Sequence, residues 1–252
     1  MIGCVVQHLE MPYQDSLYVY GLSGNSQQPL SHSVMLELPR WKPNLRYLGG
    51  QDRLIELITG SWSEDIYPGA LSRKGCRHVI IVEDECLHHK YRYSVRYVLR
   101  NDLLLRLLVQ YNGRIMRWEN WSKDCARAFQ GVPRNDPVQF INVQICGQKV
   151  MIITGNRTQR TKHVVVADFD PGTFDTRMVP GTVEKQGTTV AEGTASMFEN
   201  GWVWTNLPYR SIPISGNIDW DTKLLLGADR IIYTRSGGWK KARYISVQAA
   251  YP

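Results

Sequence analysis

At 252 residues, 43% of them hydrophobic and 21% charged, the chain can bury a full core and lies outside the compositions of disordered and fibrous proteins. Its 30 Lys and Arg outnumber 23 Asp and Glu, giving a formal charge of +7 and a pI near 9.2, a balance that suits an anionic partner. No run approaches the ~18–20 apolar residues needed to cross a bilayer. The start, from Met1 to His8, lacks a basic segment and a long apolar segment, so neither export nor membrane insertion is expected.

In chain order, the first module reads as strands near 17–21, 33–38, 45–48 and 53–58, with the turn Gly49-Gly50-Gln51-Asp52 joining the last two. A second module runs through 78–83, 91–99, 103–111 and 114–118, its final hairpin closed by Asn112-Gly113. Leucine favours helix over sheet, but the position of Leu103 to Leu108 between strand phrases argues for a strand there. A short helix fits within Ser122 to Phe129, inside a looser polar stretch at 121–137; segments 60–75 and 180–193 are similar loops.

Farther on, hairpins are expected from Val138 to Thr154 about Gly147-Gln148, from Thr194 to Thr205 about Asn200-Gly201, and from Leu224 to Thr234 about Gly227-Ala228-Asp229. Companion strands are His163 to Phe169, roughly Ile212 to Ile218, and Ala242 to Val247. Asp170-Pro171-Gly172-Thr173 is a turn by its own chemistry, because proline presets φ and glycine accepts the left-handed position.

An apolar run, a polar loop and a second run recur through the chain, beginning at Leu17, His78, Val150, Trp202 and Ile231. Recurrent β-modules that cannot bury a face alone stack on one another, so the expected fold is a single all-β domain over 1–252, a propeller-like array of about five antiparallel modules. The N-terminal strand Ile2 to Gln7 would close the ring beside the last strands. A two-sheet β-sandwich or jelly roll is the alternative, favoured by the uneven spacing of the phrases. The glycine doublet after the first strand of kelch-type blades is missing, and no family is assigned.

Five irregularly spaced cysteines, Cys4, Cys76, Cys86, Cys125 and Cys146, form no C-x-x-C pair, which argues against a disulfide framework or zinc ribbon and for a reducing, cytoplasmic setting. Asp84, Cys86 and His88 would share one strand face, but no second ligand pair accompanies them, and no metal is assigned. Carboxylates at Glu83-Asp84-Glu85, Asp168 with Asp170, and Asp219 with Asp221 fall where strands meet turns. Paired acids of this kind could cleave a glycosidic bond, although no spacing fixes which would meet. No P-loop, dinucleotide, zinc-protease or hydrolase motif is present, and no cofactor is implied.

Period-two geometry puts Arg92, Arg96 and Arg100 on one strand face, opposite Tyr91, Tyr93, Val95, Tyr97 and Leu99. An arginine-lined face suits phosphate, with the tyrosines able to stack on bases. The loop 156–163, with Arg157, Arg160 and Lys162, and the segment 236–243, with Lys240, Lys241 and Arg243, occupy equivalent places in two modules and should emerge on one rim. Of the eight tryptophans, Trp202 and Trp204 are expected to be buried, while Trp121 and Trp239 are open.

The expectation is a non-catalytic binding or assembly protein, suited to a larger particle, whose basic loops engage nucleic acid or an acidic protein surface. The alternative is a carbohydrate-binding or glycoside-hydrolysing β-propeller.

Overall fold

Alternation of apolar and polar side chains along Asp15–Leu22 and Pro29–Glu37 sends Leu17, Val19, Val34 and Leu36 to one side of a sheet, where all four are buried. The structure, a computed structural model, describes residues 2–8, 15–22, 29–42, 53–59, 79–88, 91–131, 138–156, 158–174, 181–184, 198–201, 203–227, 230–234 and 243–246. The fold is mostly β, arranged as several largely antiparallel sheets. It divides into two compact units. One is built from 1–59, 69–131 and 186–207, the other from 60–68, 132–185 and 208–252.

The first unit carries two four-stranded sheets. Strands β1 (Ile2–His8), β2 (Asp15–Leu22) and β3 (Pro29–Glu37) form an antiparallel meander, extended by β7 (Ile115–Met116) running parallel to β3. The second sheet places β4 (Arg53–Thr59), β5 (Val79–His88), β6 (Tyr91–Arg100) and β8 (Ala126–Gly131) side by side. Leu17, Val19, Val34 and Leu36 from the first sheet join Val82, Val95, Tyr97 and Leu99 from the second in one apolar cluster. Buried Asp84 is bonded inside this unit, where its Oδ2 accepts from the Trp41 indole N–H at 3.0 Å.

Two helices complete that cluster, and both correct the sequence reading. Residues 101–110 form α1 (Asn101–Gln110) where a strand over 103–111 was expected. Leu104, Leu107 and Leu108 are buried at i, i+3, i+4 spacing, so leucine's helical propensity and the packing act together. Asp102 in the first turn favours the helix dipole and is gripped by the Arg100 guanidinium at 2.6 and 3.0 Å.

The helix stops at Asn112-Gly113, where Gly113 takes φ 74°. This turn closes no hairpin. The Asn112 side chain accepts from Ser33 N, and Gly113 N donates to Ser33 O, which sets β7 against β3. The second helix, α2 (Trp118–Cys125), begins earlier than the expected 122–129 because Trp118, Trp121, Ser122 and Cys125 together make its buried stripe. Trp121 is buried, and its indole N–H donates to Glu37 O at 2.9 Å.

The N-terminal strand pairs with β2 in register from Ile2↔Gly21 to His8↔Asp15, so it belongs to the first sheet and does not close a ring beside the last strands. A local hairpin partner needs a far smaller loop closure than one some two hundred residues away. At 198–207 the Asn200-Gly201 turn is present, with Gly201 N bonded to Phe198 O, but the residues after it form no strand. They run beside α2 and β8 instead: Thr205 Oγ1 accepts from Ala128 N at 3.1 Å, and Leu207 N donates to Ala126 O. Val203 and Thr205 point inward and Trp204 outward, 53% exposed, contrary to its expected burial. The expected strand 45–48, the turn 49–52, and Trp202 and Trp239 lie outside the described residues.

The second unit has a five-stranded sheet, ordered β12 (Thr182–Glu184), β13 (Tyr209–Asp219), β11 (Thr161–Asp168), β10 (Lys149–Asn156), β9 (Val138–Cys146). A three-stranded sheet follows, β14 (Lys223–Leu226), β15 (Arg230–Thr234) and β16 (Arg243–Ser246). The hairpins expected about Gly147-Gln148 and Gly227 are both present. Met151, Ile153, Val164, Val166 and Ile212 from the larger sheet meet Leu224, Leu226 and Ile231 from the smaller in a second apolar cluster.

One side chain joins the two sheets of this unit across their edges. Gln144 Nε2 donates to Leu224 O, and its Oε1 accepts from Leu226 N, both at 2.8 Å. The carboxamide thus presents to β14 the donor and acceptor of a neighbouring strand. Truncation in Gln144→Ala leaves both backbone groups without this partner, and a loss of about 1–3 kcal/mol is expected in urea unfolding, with faster amide exchange at Leu226. Unchanged stability and protection would show the contact to be idle.

Candidate anion-binding end of the second unit

Strand register decides which ends of the second unit's strands lie together. The β10–β11 hairpin pairs Asn156 with Thr161, and Thr161 in turn pairs with Asp219 at the end of β13. The chain then turns through Trp220 and Asp221, with Thr222 N bonded to Asp219 O, and re-enters a sheet at Lys223, opposite Thr234. Tyr233 is paired with Arg243. The turn 158–160 and the ends that flank 235–242 therefore border the same short connection, 219–223.

The sequence builds this turn from local chemistry. Asn156 Oδ1 accepts from Gln159 N at 3.0 Å, a side-chain mimic of a backbone turn. Arg160 follows at φ 51°, in the left-handed region that side-chain-bearing residues seldom occupy. Two contacts hold it there. Its carbonyl accepts from Trp220 N at 2.9 Å, and its guanidinium meets Asp221 Oδ2 at 2.9 Å. The ion pair is 70% and 69% exposed, so it contributes about 0–1 kcal/mol and leaves the guanidinium open to solvent.

Lys162, half-buried, donates from Nζ to Thr222 O at 2.6 Å. Burial pushes its ammonium below the usual lysine range, and the nearby Asp221 opposes that shift. Exposed His163 and Lys223 flank the pair on β11 and β14. Neither was singled out from the sequence, since only the strand register reveals that they border this connection.

Of the residues expected to bind, Arg160 and Lys162 are together at this end, and Arg243 begins β16 beside it. Arg157, Lys240 and Lys241 lie outside the described residues. Arg92 and Arg96 are elsewhere, on β6 of the first unit. Arg96 stands directly opposite Glu83 on β5 and is bonded to it, and both side chains are mostly buried. Together with the Arg100–Asp102 clamp, this turns Arg96 and Arg100 toward neighbouring elements of their own unit, while the side chain of Arg92 lies outside the described ones.

The candidate acids also have local tasks. Asp168 Oδ1 accepts from Asp170 N, and Asp170 Oδ1 accepts from Gly172 N, which shapes the turn at Pro171–Thr173. Arg210, buried on β13, donates to the carbonyls of Thr173, Phe174 and Gly181 and so pins this corner. Asp221 is paired with Arg160, and buried Asp84 receives the Trp41 indole. Among the described residues no three His, Cys, Asp or Glu side chains cluster as metal ligands. The buried Cys125 thiol is pushed up to about 12, by burial first and by Asp124 second, which keeps it protonated and poorly nucleophilic at neutral pH.

Burial raises the Asp168 carboxyl above its usual range, against the opposing pull of Asp170 N–H, Lys149 and Arg210. A folded-state pKa above the unfolded value means that this group's contribution is full below the unfolded pKa and is lost as pH rises through the folded one. Asp168→Asn keeps an acceptor oxygen but cannot ionise. It is expected to be more stable than the parent near pH 7 and to lose that advantage as pH falls toward about 4, read from urea midpoints across the range. A variant less stable at neutral pH would show the carboxylate to be favourable. Comparison of the chain with protein-family models, curated proteins and solved structures gives no match.

Proposed function

We propose that the chain is a non-catalytic binding or assembly protein that engages an anionic macromolecule, nucleic acid in the first instance, through the 219–223 end of its second unit. The observation that carries this reading is the register that puts the turn 158–160, the start of β14 and the flanks of 235–242 at one place. Basic residues from separate parts of the sequence, Arg160, Lys162 and Lys223, with Arg243 at the start of β16, then act on one ligand. Phosphate contacts of this kind need cations on a backbone-anchored surface and no particular base-reading motif.

The shared apolar clusters support a two-sheet sandwich within each unit more than the propeller-like array, since side chains of both sheets meet in one core. The meander order of the strands supports a modular origin under either description. A reducing, cytoplasmic setting remains the reading that suits the cysteines, of which Cys125 is a buried free thiol.

Binding of single-stranded RNA, followed across a salt series, tests this. Replacing Arg157, Arg160, Lys240 and Lys241 together by Ala is expected to abolish most of the affinity and to flatten the salt dependence by about 0.7 per lost phosphate contact. Asp221→Asn should do the reverse, tightening binding by freeing the Arg160 guanidinium from its partner. RNA binding unmoved by either change, or a chain that binds no polyanion, sinks the proposal.

A further inference from the structure

Three of the five large hydrophobic side chains exposed among the described residues fall within one short stretch of the first unit. Leu105 is 43% exposed, Val109 72% and Ile115 65%. Single exposed apolar side chains are ordinary, but a local concentration of them marks a contact surface.

The geometry explains why they face the same way. On α1 the buried residues are Leu104, Leu107 and Leu108, so Leu105 and Val109, one helical turn apart, lie on the opposite side with Arg106 between them. A tight turn, Arg114 N to Tyr111 O, leads straight into β7. There Met116 enters the same apolar cluster as the α1 leucines, and strand alternation sends Ile115 and Arg117 outward. Helix, turn and strand are thus one segment with a common inner side and a common outer side.

The outer side is also cationic. Arg106, Arg114 and Arg117 are exposed, and none of them makes an ion pair with a described residue. Of the acids nearby, Asp102 is held by Arg100 and also feels the Arg106 charge, and the Glu119 carboxylate accepts from the Asn200 amide at 2.9 Å. A surface with apolar anchors and exposed guanidinium groups that form no ion pair with a described residue is complementary to apolar side chains set among carboxylates.

We propose that this face, Leu105, Val109 and Ile115 with Arg106, Arg114 and Arg117, docks an acidic amphipathic peptide segment of a partner protein. It belongs to the first unit and is independent of the reading given for the second. A lipid surface fits less well, because membrane-lying helices separate apolar from basic faces, whereas Arg106 here sits between Leu105 and Val109 and would be drawn into the acyl region. Single-stranded nucleic acid would call for exposed aromatic platforms, and the exposed apolar residues of this segment are Leu, Val and Ile.

The test uses the full chain and a fluorescent peptide of about five helical turns, with Leu at helical i, i+3 and i+4 positions and Glu elsewhere, beside a scrambled peptide of the same composition. The amphipathic peptide is expected to bind, with the scrambled one at least about tenfold weaker, a difference of about 1.4 kcal/mol. Val109→Asp and the pair Arg114→Glu with Arg117→Glu should each weaken binding by about tenfold or more, while circular dichroism stays unchanged, as befits exposed positions. A peptide carrying Lys in place of Glu should recover binding to the Arg114→Glu, Arg117→Glu protein, which a merely misfolded variant would not allow. Equal binding of the scrambled peptide, no effect of either variant, or retention by phosphatidylserine vesicles without peptide binding overturns the proposal.

Discussion

The carboxamide of Gln144 is the point at which the second unit's two sheets become one object. Strand β14 is only four residues long and pairs with β15 on one side alone. Its other edge would leave backbone groups to be satisfied by water, yet Leu224 and Leu226 must point into the shared apolar cluster. Gln144 resolves this conflict by supplying an acceptor and a donor from β9, so that the strand is held and its leucines stay inside. Because Lys223 starts that strand, the position of the basic end relative to the larger sheet follows from the same two hydrogen bonds.

The first unit solves its edges differently. Strand β8 is bordered by a stretch that is not a strand, in which Thr205 and Leu207 bond to its backbone while Val203 fills the core. The Asn112 side chain and Gly113 N–H bracket Ser33 on β3, and the chain then adds two parallel residues to that sheet. Edges closed by irregular backbone in this way offer little for another strand to pair with.

Strands with strict alternation were legible in the sequence, as were turns that carry their own chemistry. Gly147-Gln148 turns with Gly147 at φ 63°, and Asp170 to Thr173 turns where Pro171 presets φ, although Gly172 sits in a 3-10 turn without the expected left-handed φ. The leucine-rich stretch after β6 is helical because its own propensity outweighs its place between strand phrases, with burial at i, i+3, i+4. The arginine row of β6 shows the opposite limit. Alternation correctly puts Arg96 and Arg100 on one face, but Glu83 and Asp102, which engage them, are found only once register and helix start are known. At the basic end Arg160 and Lys162 were visible as charge, whereas Asp221 and the Thr222 carbonyl, some sixty residues away, were not.

The backbone at Arg160 has an implication for how this surface can change. A left-handed position is most readily occupied by Gly or Asn, so random drift that favours a more robust fold pushes against arginine there. Either replacement would relax the peptide and erase a guanidinium in the same step. Relatives that keep a long cation at this corner despite its torsional cost would thereby reveal selection for charge, and those with glycine would mark lineages in which the corner has become only a bend.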